Sequence, residues 1–182
     1  MTDLEAQPET VRGRAIYRLL LAVHATIRRE LERVELLAEQ ALEGMPAEDL
    51  QRELDEMKRD GMLWRLQIDC LRYCRFVHSH HNAEDVVFFP ELRDRNPAIG
   101  PVIDRLEADH RRVSDQLDAV EAAANGLAED DSRPAREALA GALQALGEQL
   151  LEHLGYEERN VEATVLRLRE YSVAAGAGDG AA

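Results

Sequence analysis

Apolar residues recur at steps of three and four along four long stretches of this chain, which is the spacing of one face of an α-helix. We place three of these helices roughly at residues 10–43, 62–93 and 98–124, and we expect the fourth to begin near Ser132. The sequence shows no strand-like alternation and no internal repeat. Four long helices with short connections predict an all-α fold, specifically an antiparallel up-down four-helix bundle.

Helix-breaking residues mark the connections between these helices. The sequence GMP at 44–46 ends the first helix, and the polar stretch 47–60 predicts a short extra surface helix before the second. The breaker-rich sequence DRNPAIGP turns the chain into the third helix. We expect Asn125 and Gly126 to cap the third helix, and Pro134 to lie in the first turn of the fourth, where proline is tolerated.

These helices form one domain flanked by two tails. A chain of 182 residues and 20.5 kDa is long enough to bury a sizeable core without disulfides or metals as staples. We expect an N-terminal tail over 1–9, the bundle over 10–171 and a disordered C-terminal tail over 172–182. The last segment ends in VAAGAGDGAA, a low-complexity sequence that has nothing to bury.

Charge and composition exclude several classes of function. The formal net charge of −14 argues against nucleic acid or an anionic membrane as a partner. Two cysteines cannot build a disulfide scaffold, and no run of 18 apolar residues could form a membrane-spanning helix. The N-terminal sequence MTDLEAQPET shows no secretory signal, so we expect a cytoplasmic protein.

Histidines fall on the apolar stripe of all four long helices. The stripe positions are His24, His80, His110 and His153, whereas His78 points away from the stripe and is interpreted as a surface residue. Two of the helices add a glutamate four residues later, Glu84 after His80 and Glu157 after His153. Residues four apart share a helix face, so each pair presents an imidazole and a carboxylate to the bundle interior.

The depth of these residues along the bundle indicates that they meet in one layer. His24 lies about 28 Å from the end of the first helix, and His80 lies about 27 Å from the start of the second, at 1.5 Å per residue. Glu84 and His110 lie at similar depths on either side of the next connection. The depth of His153 along the fourth helix agrees less closely with that of His110. A tilted connection between the third and fourth helices could account for the difference.

Two glutamates in an apolar core point to a metal centre. Burying a carboxylate is costly unless a cation neutralises it, and the stripes carry no lysine or arginine near Glu84 or Glu157. Imidazole and carboxylate ligands inside a bundle suit iron or manganese, and six ligands suffice for two metal ions bridged by carboxylates. No cysteine lies at this depth, which argues against a cysteine-type structural zinc site.

Four segments carrying these residues resemble the hemerythrin-like, or HHE cation-binding, domain family. The sequence HSHHNAEDVVFFPEL resembles its central signature, and LAVHATIRREL, RLEADHRRV and LLEHLGYEE resemble its other ligand segments in the family's order. The resemblance covers roughly residues 14–166. It implies a non-haem di-iron site with an oxo or hydroxo bridge, manganese being the alternative metal, and the ligands His24, His80, Glu84, His110, His153 and Glu157. Within that set the resemblance implies Glu84 and Glu157 as bridges.

The third helix departs from the pattern of the oxygen-carrying members of the family. Those members have two histidines one turn apart there, whereas this chain has Leu106 before His110 and Ser114 after it. We therefore expect an open metal position beside His110, and reduction or binding of O2, peroxide or nitric oxide rather than reversible oxygen carriage. The alternative is a sensor or iron-binding module of a different class, in which metal binding folds the bundle.

Several residues near the expected centre allow two interpretations. His81 could be the ligand instead of His80, although the four-residue step to Glu84 favours His80. Glu107 could turn toward the open position, with a surface role as the alternative. Asp85 and Glu158 directly follow the two glutamates, and we interpret them as solvated residues rather than as supports for the ligands.

The aromatic and sulfur-containing residues on these stripes are interpreted mainly as core. Tyr17, Tyr73 and Tyr156 could alternatively donate a hydrogen bond to the centre or ligate it. Cys70 and Cys74 are one turn apart and are interpreted as small buried hydrophobic residues, with a redox pair as the alternative.

Overall fold

The structure is a computed structural model that describes residues 7–43 and 60–169. Its regular structure within these ranges is entirely helical, which confirms a helical bundle of four long helices. The elements are α1 (Val11–Glu43), α2 (Asp60–Ala83), a π-turn (Glu84–Phe88), α3 (Phe89–Arg95), a 3-10 turn (Pro97–Ile99), α4 (Gly100–Glu129) and α5 (Arg133–Val165). The predicted C-terminal tail and, apart from its last residue, the predicted extra helix over 47–60 lie outside the described residues.

The second long helix consists of α2, the π-turn and α3, which follow one another without a break. In the π-turn the backbone N–H of Phe89 donates to the carbonyl oxygen of Glu84, five residues earlier. Helical spacing predicts Val87 and Phe88 on the inward face of this helix. Val87 is 65% exposed, so the prediction is wrong for Val87, whereas Phe88 is half-buried and packs against the core. The extra residue brings Phe89 to the inward face, where it is 0% exposed.

The four long helices pack around one shared interior. Helix α5 packs against α1 and α4, and α2 packs against the same two helices. At one end of the bundle the first turn of α1 meets the last turn of α5, where the N–H of Thr10 donates to the carbonyl of Leu166 at 2.8 Å. A Cβ on Gly13 would collide with this backbone, so glycine permits the close approach.

The core forms two apolar clusters, with the histidine layer between them. One cluster contains Ile27, Val113 and Leu150, together with Tyr73 and both cysteines. The other contains Leu20, Leu106 and Val161. Helices α1, α4 and α5 each contribute to both clusters. His24, His110 and His153 lie on these helices between the residues just named for the two clusters.

Two details of the helix boundaries differ from the expectations. Helix α4 runs through Asn125 and Gly126 to Glu129, because Leu127 packs in the core and is only 2% exposed. The predicted C-cap was therefore wrong. The start of α5 agrees with the prediction, since the Ser132 side chain caps the helix by accepting from the N–H of Ala135.

The apolar stripe of the first helix predicts both Leu20 and Leu21 on its inward face. Leu20 is buried, whereas Leu21 is 36% exposed, so the prediction is wrong for Leu21. Among the described residues, none of the helices combines the length and apolarity that crossing a bilayer requires.

Candidate metal centre

Seven side chains converge in the layer between the two apolar clusters. They form two groups, in each of which one donor atom per residue lies within 4.8 Å of the others. The groups are His24, His80, Glu84 and Glu157, called group A, and His81, Glu84, His110 and His153, called group B. The structure thus brings together all six residues that the sequence singled out and adds His81.

Group A lies where α1, α2 and α5 meet. The Nε2 atoms of His24 and His80 are 3.1 Å apart. Nε2 of His24 lies 3.3 Å from Oε2 of Glu157, and Nε2 of His80 lies 3.3 Å from Oε1 of Glu84. All four donor atoms therefore surround one small volume.

Group B lies beside it, between α2, α4 and α5. The Nε2 atoms of His110 and His153 are 3.2 Å apart, and Nε2 of His110 lies 3.5 Å from Oε2 of Glu84. The imidazole of His81 stacks on that of His110, with ring centroids 4.0 Å apart and planes within 9°.

Glu84 connects the two groups through its two oxygens. Its Oε1 faces the histidines of group A, and its Oε2 faces His110 of group B. Glu157 has a similar position, since its Oε2 lies 3.3 Å from His24 and 3.9 Å from Nε2 of His153. Glu84 therefore faces the two groups with separate oxygens, whereas Glu157 lies near His24 and His153 through Oε2 alone.

Unpaired polar atoms show that this layer is suited to cations. Both oxygens of Glu84, both oxygens of Glu157 and Nε2 of His81 are buried without a hydrogen-bond partner. Leaving such groups unpaired in a core is costly, and metal ions would satisfy them. Nitrogen and oxygen donors in this ratio fit iron, so the residues present fit the metal that the family resemblance implies.

The protonation of the layer is set by burial and by the charges inside it. Burial lowers the pKa of His80 to about 3 and that of His153 to about 4, which keeps their nitrogens free to bind a cation. Burial and repulsion by Glu157 raise the pKa of Glu84 to about 8. Burial alone would lower the pKa of His24, but Glu157 and Glu84 outweigh it and raise that pKa to about 10.

Two further carboxylates contact the Nδ1 atoms of His24 and His110, whose Nε2 atoms face the two groups. Oε1 of Glu158 lies 2.9 Å from Nδ1 of His24 and accepts from Arg28 at 2.7 Å. Oδ1 of Asp85 lies 2.8 Å from Nδ1 of His110. Asp85 and Glu158 are therefore not merely solvated: each orients a histidine of a neighbouring helix.

The other candidates from the sequence lie outside the two groups. Tyr17 donates to the carbonyl oxygen of Glu158 at 3.2 Å, and Glu107 accepts from Arg93 at 3.1 Å. Tyr73 belongs to the apolar cluster that contains Ile27. The ring of Tyr156 is covered by the guanidinium of Arg105 at 3.7 Å.

The cysteines lie in that same cluster. Cys70 and Cys74 are buried, free thiols, and burial raises the pKa of each to about 12. The interpretation as small buried hydrophobic residues agrees with this placement.

His81 is the residue that the sequence left as an alternative to His80. Adjacent residues differ by about 100° around a helix, so one faces group A while the other faces group B. Because the layer holds two groups side by side, His80 can join one group and His81 the other. The three-residue step from His81 to Glu84 was the available signal, since residues three apart also share a face.

His81 changes the expectation of an open position beside His110. That expectation depended on the missing second histidine of the third helix. In the structure the third histidine of group B comes from α2 instead, stacked on His110. The missing residue alone therefore does not locate an open position.

Comparison with protein-family profiles adds an independent finding. The hemerythrin HHE cation-binding domain matches residues 15–165. No curated protein and no solved structure matches the chain. The match includes both histidine groups and most of the four long helices, and the chain belongs to the hemerythrin HHE cation-binding domain family.

Proposed function

We propose that this protein is a non-haem di-iron protein that binds or reduces a small oxidant: O2, peroxide or nitric oxide. The observation that carries the proposal is the position of Glu84, whose two carboxylate oxygens face two separate histidine groups. A single structural ion would need only one such group. Two adjacent redox-active ions would together supply two electrons to an oxidant.

In this proposal each group holds one ion. His24 and His80 would hold one, His81, His110 and His153 would hold the other, and Glu84 and Glu157 would bridge them. Manganese is the alternative metal. Because Glu157 and Glu84 raise the pKa of His24, protons would compete with a metal ion for its Nε2 atom.

The chain around the centre would exclude bulk water and fix the histidines. The two apolar clusters close the layer from either end of the bundle. Glu158 and Asp85 hold the rear nitrogens of His24 and His110. We propose the antiparallel up-down arrangement for the helices, which the contact between the first turn of α1 and the end of α5 supports.

The proposed setting is the cytoplasm. Free thiols such as those of Cys70 and Cys74 stay reduced there. We propose neither a nucleic-acid nor a membrane partner, because a net charge of −14 opposes binding to phosphate backbones and anionic lipids.

Metal content and the optical spectrum test the di-iron proposal directly. We expect about two irons per chain after anaerobic loading, with near-ultraviolet absorption appearing on exposure to air. Glu84→Ala should lose most of this iron, whereas the exposed Glu152→Ala should keep it. A wild-type protein that binds no stoichiometric metal would contradict the proposal.

The unpaired carboxylate oxygens of Glu84 and Glu157 also favour a second candidate, a sensor or iron-binding module. Without metal the core contains both oxygens of Glu84 and of Glu157 without hydrogen-bond partners, which destabilises the bundle. Metal uptake would then be coupled to folding and could act as a signal. Circular dichroism melting with and without a chelator tests this candidate, and identical melting curves would eliminate it.

A further inference from the structure

His153 differs from His24 and His110 at the ring nitrogen that points away from the metal-binding groups. Nδ1 of His24 and Nδ1 of His110 lie 2.9 and 2.8 Å from a carboxylate oxygen. Nδ1 of His153 is buried without a hydrogen-bond partner, and Oδ2 of Asp109 lies 3.9 Å from it. That distance is too long for a hydrogen bond. His153 therefore faces a carboxylate without bonding to it.

Asp109 is a buried carboxylate on α4, with only 2% of its surface exposed. Its Oδ1 accepts a hydrogen bond from Arg112, and its Oδ2 lies 3.7 Å from Nε of Arg105. Both arginines lie on the same helix as Asp109 and keep about half of their side chains exposed, at 56% and 44%. Arg112 therefore anchors one oxygen of Asp109, while the other oxygen faces His153.

Glu158 shows the complete form of this arrangement. Its Oε1 accepts from Arg28 at 2.7 Å and lies 2.9 Å from Nδ1 of His24. The arginine fixes the carboxylate, and the carboxylate fixes the imidazole. Asp109 already has its arginine, but its distance to Nδ1 of His153 is 3.9 Å instead of 2.9 Å.

The hydrogen bonds inside group B account for this longer distance. Asp85 accepts from Nδ1 of His110, because an ionised carboxylate can only accept. A neutral His110 then has its lone pair on Nε2, where it accepts from Nε2 of His153 at 3.2 Å. The single hydrogen of a neutral His153 is thereby assigned to Nε2. Its Nδ1 has a lone pair, which cannot bond to an oxygen of Asp109.

We propose that Asp109 is a positioning residue for His153 and closes on its Nδ1 atom when a metal ion occupies group B. The proposal rests on the proposed di-iron function. A metal ion takes the lone pair of a ring nitrogen, so Nε2 of His153 loses its hydrogen and Nδ1 gains one. One hydrogen leaves the ring and one arrives, so the ring stays neutral. Oδ2 of Asp109 accepts the new N–H, which would otherwise be buried without a partner.

The position of this hydrogen can be measured without any substitution. Nuclear magnetic resonance of protein with isotope-labelled histidine identifies which ring nitrogen carries a hydrogen. Zinc serves as the probe because it is diamagnetic and takes imidazole and carboxylate ligands. We expect the hydrogen of His153 on Nε2 in the metal-free protein. In the zinc-loaded protein we expect it on Nδ1, exchanging slowly with solvent.

Asp109→Asn tests the role of the carboxylate. It should weaken the binding of ferrous iron about 10–100-fold, as is typical when such a support is lost. In its zinc-loaded form the N–H of His153 should exchange faster with solvent, while that of His110 stays slow because Asp85 is intact. Asp115→Asn, at an exposed position on α4, is the matched control and should leave both measurements unchanged.

The outcomes separate this proposal from the di-iron function. A hydrogen on Nδ1 of His153 already in the metal-free wild type would overturn the proposed change, even if Asp109→Asn fails to fold. Wild-type iron affinity in Asp109→Asn would overturn the positioning role alone, as would equally faster exchange at His110 and His153, which indicates general loosening. Failure of the wild-type protein to take up iron would overturn the di-iron function, and the positioning role with it.

Discussion

Asp85 of the π-turn and His110 of α4 are joined across two helices, with Oδ1 of Asp85 2.8 Å from Nδ1 of His110. Glu158 of α5 has the same relationship to His24 of α1 at 2.9 Å. Each of these carboxylates directly follows a glutamate of the centre, Glu84 or Glu157 in turn. In both places two consecutive acidic residues therefore supply one carboxylate that points inward and one that supports a histidine on another helix.

Asp85→Asn should weaken iron binding because it removes the charge behind His110. Such supports typically contribute about 10–100-fold to metal affinity. The comparison is with Asp115→Asn, an exposed position on α4 that should bind iron like wild type. Competition with a calibrated chelator measures both. Equal affinity in the two variants would mean that Asp85 does not support the centre.

His81→Ala should lower the iron content from about two per chain toward one. It removes one nitrogen from group B and leaves group A complete. His78→Ala is the control, since the side chain of His78 is 38% exposed and belongs to neither group. Elemental analysis after anaerobic loading gives the answer. Two irons in His81→Ala would show that His81 is dispensable as a ligand.

The buried thiols predict a specific dependence on pH. Burial raises the pKa of Cys70 and Cys74 to about 12, above the ordinary thiol value of about 8.5. Alkylation by iodoacetamide should therefore stay slow in the folded protein from pH 7 to 9, and become fast in urea.

The same shift has a consequence for stability. A thiol that ionises in the unfolded chain but not in the folded one favours unfolding as pH rises above about 8.5, while its stabilising effect is fully present below that value. The free energy of unfolding should accordingly fall between pH 8.5 and 10. Alkylation of the folded protein at the rate seen in urea would contradict the burial of both thiols.

Two glycines should respond oppositely to alanine. Gly13→Ala places a Cβ against the backbone carbonyls of Val165 and Leu166, so we expect a loss of about 1–3 kcal/mol. Gly126→Ala meets no atom within 4 Å inside α4 and should stabilise the helix by about 0.5–1 kcal/mol. Urea denaturation compares the two. Equal stability in both variants would rule out the tight approach at Gly13.

The features that depend on helix periodicity could be predicted from the sequence. The histidine stripes and the glutamates four residues later follow from the geometry of a regular helix, and the structure places them together. The π-turn could not be predicted in this way, because its extra residue changes the step from Glu84 to Phe89. The same extra residue explains why Val87, predicted to face inward, is exposed.

Tertiary contacts explain the other differences. Asn125 and Gly126 are typical of a helix end, but burial of Leu127 outweighs that local preference and extends α4. His81 was held as an alternative because a single inward stripe allows only one of two adjacent residues. A centre made of two neighbouring groups uses both, and only the packing of α2 against both α1 and α4 reveals this.

The division of the core into two apolar clusters has a mechanical consequence. The bundle resembles two short bundles joined end to end, and the joint is the layer of imidazoles and carboxylates. Ions in that layer would hold the four helices together at the middle of their length. Amide hydrogen exchange would then slow on both sides of the joint when iron is added, although the iron touches neither cluster directly.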